Sequence, residues 1–310
     1  MKLHVLIDNL PSQENPALHH EHGLSILLQT PEGKNYLIDT GASGKFIENL
    51  EILRQADSSL PSVEEIDAVI ISHGHNDHTG GLRSFLEANT AAPVYLHSSI
   101  QGNLYFSCRN RGASATSSGV MEARSIGMEQ SLFAEYGHRF VQISEPLSLT
   151  ENITIVPTRY SAGTQPMPLG NKYLYKNDFP DDFSHELAVY AEFAPEQYAV
   201  ISPCSHRGIL NILPIGTSSH GADSQKTPIG TSSHGAIYFI GGLHYVDYLN
   251  EEDAKKEAAQ IIQAAGYIKE KYPNLKVVSG HCTCAKAGDM ICSVLGERYA
   301  TFCSGYSILL

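Results

Sequence analysis

Residues 70–81 read Ile70-Ile71-Ser72-His73-Gly74-His75-Asn76-Asp77-His78-Thr79-Gly80-Gly81, and this stretch decides the reading of the chain. The apolar run at residues 68–72 has the length and composition of a buried strand. Four groups able to hold a cation follow it within six residues: His73, His75, Asp77 and His78. His73 and His75 are two apart, so in an extended segment their imidazoles point the same way. Asp77 and His78 come after the chain bends and approach from another side. One compact loop can thus serve two neighbouring cations. Imidazole with one carboxylate suits zinc, with manganese or iron as alternatives. A lone histidine in a turn is ordinarily a polar surface group, but four donors at this spacing after an apolar strand are not.

Outward from this stretch the chain alternates strands and helices. Short apolar runs at residues 2–7, 25–29, 35–38, 94–97, 140–143, 153–156, 187–192, 197–202, 236–240 and 276–279 are predicted strands. Pro31-Glu32-Gly33-Lys34 reads as a hairpin turn. Helical spacing marks residues 45–54, 251–271 and 285–295. Two strand-rich halves with interspersed helices suggest two sheets with helices outside. The expectation is a single domain over residues 1–310, with an insertion at about residues 98–137. Residues 158–184 read as a long loop without regular structure, a candidate lid. Its Tyr160, Tyr173, Tyr175, Phe179 and Phe183 could stack on a planar ring. The nonapeptide PIGTSSHGA occurs twice, at 214–222 and 228–236, and has the composition of a duplicated surface loop.

Composition limits the functions open to the chain. With 310 residues and 42% hydrophobic content it can bury a sizeable core. A net charge of −12 without a basic block repels phosphate backbones, so nucleic acid is not an expected partner. Arg109, Arg111 and Arg207 are local basic spots that could meet one anionic substrate group. No apolar run approaches the roughly 20 residues that span a bilayer, so no membrane association is expected. The first eight residues read as a strand, not as a leader. The six cysteines are too sparse for a disulfide scaffold, and a reducing, cytoplasmic location is the expectation. Fifteen histidines and no tryptophan point again to metal chemistry.

The HxHxDH pattern after a strand resembles the signature of the metallo-β-lactamase superfamily. Asp39-Thr40-Gly41, upstream and also after a strand, looks like that superfamily's first motif. More narrowly, the chain is similar to the subfamily around the methanopterin-pathway synthase. The residues carrying this likeness are His22-Gly23-Leu24-Ser25, Asp39-Thr40-Gly41, His73 to Gly81, Cys204-Ser205-His206-Arg207-Gly208-Ile209, Gly241-Gly242-Leu243-His244 and Gly280-His281-Cys282-Thr283. They are spread in order over nearly the whole chain. Cys284 is a departure, because that subfamily usually has glycine there.

The resemblance implies a four-layer αββα sandwich with two mixed sheets and outer helices. It implies two divalent metal ions, held by His73, His75, Asp77, His78, His206 and His281. His281 stands at the superfamily's last histidine position. His206 follows the strand after which most members carry a bridging aspartate; Cys204 is its rival there. Asp39 is implied to steady the metal loop from behind, as ligand imidazoles need. A further histidine is implied just before the 187–192 strand. His185 is there, with Asp182 and Glu186 competing, and an exposed polar residue is the reading preferred for His185. His244 is a candidate supporting or substrate-binding group.

The reaction implied is hydrolysis of an ester or phosphoester-type small molecule by metal-activated water, with Asp77 catalytic as ligand and orienter. The alternative is transfer: condensation of a pterin diphosphate with an arylamine, with the same ions neutralising the departing diphosphate. The expected partner is thus a small molecule, pterin-like or phosphorylated. A flavin-linked diiron protein is disfavoured, since such members carry glutamate where His75 stands.

Overall fold

The computed structural model describes residues 1–108, 123–161, 163–213 and 236–310. The repeat at residues 214–236 and Arg109 and Arg111 lie outside the described residues, apart from the strand that starts at Ala236.

Two seven-stranded mixed sheets face each other. In spatial order the first comprises Ser307–Leu309, Lys2–Ile7, Ser25–Gln29, Asn35–Ile38, Ala68–Ile70, Val94–His97 and Phe140–Ile143. The second comprises Tyr299–Thr301, Lys276–Ser279, Ala236–Ile240, Gln197–Ile201, Leu187–Ala194, Ile153–Pro157 and Leu147–Ser148. Period-two alternation sends neighbouring side chains to opposite faces. Ile26, Leu28, Ile38 and Ile70 therefore face Ile155, Val189, Ile201, Ile240 and Val278 across the central core. Leu27, Leu37 and Val69 point outward, against Phe46 and Leu50 of helix Lys45–Ala56 and Leu82 and Phe85 of helix Leu82–Ala88. On the other flank Val200, Phe239 and Val277 meet Ile261 and Ile268 of helix Glu251–Lys271 and Ile291 of helix Ala285–Leu295. The result is helix, sheet, sheet, helix. Each fully buried side chain of this kind contributes roughly 1.5–3 kcal/mol.

A third, four-stranded sheet departs from the expected architecture. Tyr105–Ser107 pairs with Arg124–Ser125 on one side and Leu174–Lys176 on the other, and the latter pairs with Phe179–Pro180. Residues 158–184 are therefore not an unstructured loop; Leu169–Tyr173 is also a 3-10 turn. Strands of two or three residues leave no local periodicity, and only partners distant in sequence define them. No helix among the described residues is long and apolar enough to cross a membrane.

The parallel strands place the chemistry. Asn35–Ile38, Ala68–Ile70 and Val94–His97 run parallel, as do Gln197–Ile201, Ala236–Ile240 and Lys276–Ser279. Asp39, His73, His206, His244 and His281 all follow the carboxyl ends of such strands, where open α/β sheets form crevices. Asp39, Ser205, His244 and His281 adopt φ between +51° and +58°, strain characteristic of functional turns. At Gly241, φ is +144° and an added Cβ would lie 1.9 Å from the Ser202 carbonyl oxygen. Gly241→Ala is expected to lower the unfolding free energy by about 3 kcal/mol or more, read from a urea melt.

Candidate metal centre

Past Ile70 the chain leaves the sheet, which hands the Ser72 backbone to Asp39. The Asp39 carboxylate accepts the Ser72 N–H at 2.7 Å and the Ser72 hydroxyl at 2.6 Å. It also accepts from His78 Nδ1 at 2.7 Å. Because the Ser72 hydroxyl spends its proton on Asp39, it accepts from His73 Nδ1, 2.9 Å away. The tautomers of His73 and His78 are thereby fixed, with the Nε2 lone pairs facing inward.

Two other rings follow the same logic. His206 Nδ1 donates to Asn171 Oδ1 at 2.9 Å, while the Asn171 amide donates to the His206 carbonyl at 2.7 Å. The Glu186 carboxylate fixes the turn by accepting the His206 N–H at 2.6 Å. Thr158 and Arg207 donate to the same carboxylate. His281 Nδ1 donates to Asn9 Oδ1 at 3.1 Å, and the His281 N–H donates to Asp8 at 2.8 Å.

The inner nitrogens converge in two groups. His73 Nε2 lies 3.1 Å from His75 Nδ1 and 3.3 Å from His206 Nε2. His78 Nε2 lies 3.0 Å from His281 Nε2, and Asp77 Oδ2 is 3.7 and 3.5 Å from those two atoms. His22 Nε2 joins the second group, 3.5 Å from Asp77 Oδ2. Lone pairs aimed at lone pairs need something positive between them. Two ligand atoms of a tetrahedral zinc ion, each 2.0–2.1 Å from it, are about 3.3 Å apart. The donor set therefore fits a pair of divalent ions. Cys204 sits between the groups: its Sγ, the His73 donor and the His78 donor all lie within 4.8 Å of one another.

Electrostatics agree with this geometry. Burial, with His78, His75 and His185 nearby, holds His73 well below the ordinary imidazole value. Burial and His244 do the same to His206, so both stay neutral, the form that binds metal. Burial opposes charge on Asp77, but His78, His281 and His22 outweigh it and hold its carboxyl well below the usual range. His281 is pushed up to about 9: burial lowers it, and Cys282, Asp77 and Asp8 more than offset that. The surroundings of the second group thus favour positive charge.

The structure departs from several readings of the sequence. His185 is not exposed but wholly buried. Its Nδ1 accepts the Gly74 N–H at 3.0 Å and its Nε2 donates to Asp181 at 3.0 Å, so both nitrogens are spent holding the histidine loop. Asp182 instead faces outward to Lys176, and Glu186 supports His206 from behind. His75 Nε2 is buried with no hydrogen-bond partner, Asp181 Oδ2 being 3.9 Å away. The His244 ring lies tilted against that of His206, with centroids 4.1 Å apart and planes at 46°, and its Nδ1 is 3.5 Å from Cys204 Sγ. Arg207 does not face the site; its guanidinium donates to the Asp182 and Thr158 carbonyls.

The groups lie at the floor of a cavity of about 1320 Å³. Tyr160, Tyr173, Tyr175, Phe179 and Phe183 do not line it; Phe183 stacks on His206 instead, with ring centroids 4.2 Å apart. Tyr245, Tyr248, Tyr299 and Arg124 are on its walls. Sequence reasoning missed His22, Asn9, Asp181, Asn171 and Cys282. For His22 and Cys282 a signal existed, since both sit in short motifs singled out for their likeness to a family.

Comparison with known proteins bears on the fold. Residues 21–101 match the model of the metallo-beta-lactamase superfamily. A protein of Methanocaldococcus jannaschii named 7,8-dihydropterin-6-methyl-4-(beta-D-ribofuranosyl)-aminobenzene-5'-phosphate synthase is 25% identical, over 98% of this chain and 95% of its own. The solved structure of a metal-dependent hydrolase of the beta-lactamase superfamily superposes with a TM-score of 0.67 at 22% identity, covering 100% of this chain and 99% of that one. A metallo-beta-lactamase fold protein of Bacillus subtilis gives a TM-score of 0.51 at 15% identity, with 99% of each chain covered.

Proposed function

From the metallo-β-lactamase fold that this chain has, we propose that it is a metal-dependent hydrolase of a small ester or phosphoester, working with two divalent ions. Zinc is the first choice, with manganese or iron as alternatives. The observation that carries the reading is the set of inner lone pairs meeting in two neighbouring groups, with the rings of His73, His78, His206 and His281 each locked by an outer hydrogen bond. His73, His75 and His206 would hold one ion, and Asp77, His78 and His281 the other. When bound, such a pair supplies Lewis acidity and a nucleophilic water at neutral pH.

The chain's own residues do the positioning. Asp77 supplies the negative charge of the second group and points its carboxylate toward the cavity floor. Asp39 and Ser72 keep His73 and His78 in the tautomers the site needs. Arg124 places a cation on the cavity wall, which suits an anionic, phosphorylated substrate. The tyrosine-lined wall suits a planar group.

A second reading is transfer of a pterin group from its diphosphate to an arylamine. The resemblance to a named synthase along 98% of this chain favours it. One assay series separates the two. Metal-loaded protein is expected to cleave phosphodiesters such as bis(p-nitrophenyl) phosphate, to lose that activity with a chelator, and to regain it with zinc or manganese. Silence toward phosphoesters, with product formed from dihydropterin diphosphate and p-aminobenzoate derivatives, would replace hydrolysis by transfer.

A further inference from the structure

Beside the two groups lies a third cluster that the proposed reaction does not use. Cys204 Sγ is 3.2 Å from Cys282 Sγ and 3.5 Å from His244 Nδ1. The His244 N–H donates to Cys282 Sγ at 3.2 Å, which ties the two loops together. The three donor atoms all lie within 4.8 Å of one another. Cys204 and His244 are buried, Cys282 is half-buried, and all three line the cavity. They come from three different strand ends, after Gln197–Ile201, Ala236–Ile240 and Lys276–Ser279.

We propose that Cys204, Cys282 and His244 form a soft-donor site for a third, thiophilic divalent ion such as zinc, contiguous with the paired centre through the Cys204 sulfur. Two thiolates and one imidazole prefer soft or borderline cations to magnesium, calcium or manganese. Two sulfurs on one tetrahedral zinc, each about 2.3 Å from it, are about 3.7 Å apart. The observed pair needs to part by only about half an ångström to match. Three protein donors with a fourth direction open to the cavity is the arrangement that leaves room for water or a substrate atom. A thiolate also has lone pairs enough to serve two cations, so Cys204 can face both the histidine groups and this site. On loading, the two thiols give up their protons to solvent. The site rests beside the paired-ion reading and uses none of its six ligands, with Cys204 lying between the two.

Cadmium is a suitable probe, because thiolate ligation gives an ultraviolet charge-transfer band. Metal-free protein, kept reduced with a phosphine, is titrated with cadmium, desalted and assayed for metal by mass spectrometry. The wild type and a Cys303→Ser control, altered at a half-exposed cysteine that does not line the cavity, are expected to hold three ions. Cys282→Ser and His244→Gln are expected to hold two, with the band cut by at least half in Cys282→Ser. Retention of two ions also shows that these variants remain folded. Two ions in the wild type and in Cys282→Ser alike would overturn the third site and leave the paired centre standing. Three ions in Cys282→Ser would overturn it as well. Fewer than two in the wild type would overturn both readings.

Discussion

Asp77→Asn is expected to cut turnover on the order of a thousand-fold while leaving the fold intact. Asparagine keeps the size of the side chain and removes its charge. That charge faces His22, His78 and His281 at 3.5–3.7 Å, and it is the carboxylate of the second donor group. Without it a cation there meets two or three neutral imidazoles and no counter-charge. Metal content should fall from two paired ions towards one, and turnover at saturating zinc should stay low. Circular dichroism should match that of the wild type, because asparagine keeps the side-chain volume within the short helix Asn76–Thr79. Activity within tenfold of wild type would remove Asp77 from its proposed role.

Asp39→Ala should cost stability as well as metal. The carboxylate is buried and takes three donors: the Ser72 N–H, the Ser72 hydroxyl and His78 Nδ1. Each buried donor left without a partner costs about 1–3 kcal/mol. Alanine also tolerates the φ of +58° at this position less well than aspartate does. The unfolding free energy of the metal-free protein should drop by roughly 3–5 kcal/mol, measured by urea denaturation. Zinc affinity should fall about 10–100-fold, measured by competition with a chelator. The two readouts separate a role in holding the loop from general destabilisation. Unchanged affinity in a destabilised protein would reduce Asp39 to packing.

The sheets were legible where a strand is an apolar run of four or more residues between turns, as at Asn35–Ile38, Val94–His97 and Lys276–Ser279. The strand leading to the histidines ends at Ile70, earlier than its apolar pattern suggests, because Ser72 is drawn away to Asp39. The small third sheet was illegible, since pairs such as Leu174 with Ser107 join residues far apart in sequence. The contiguous donors His73 to His78 can be read from one segment. The partners of the more distant imidazoles cannot: only folding brings Asn171 behind His206, Asn9 behind His281 and Asp181 behind His185. His185 shows the limit of burial estimates from sequence. It sits among Asp182, Ser184 and Glu186 and reads as surface, yet Gly74 and Asp181 satisfy both its nitrogens inside the protein.

Anomalous diffraction at the zinc edge from crystals of the zinc-loaded protein tests the central claim most directly. Besides the ion proposed at Cys204, Cys282 and His244, the account predicts two neighbouring peaks, one among His73 Nε2, His75 Nδ1 and His206 Nε2, the other among Asp77, His78 Nε2 and His281 Nε2. Diffraction without anomalous density there, or with zinc bound only elsewhere on the chain, would contradict it.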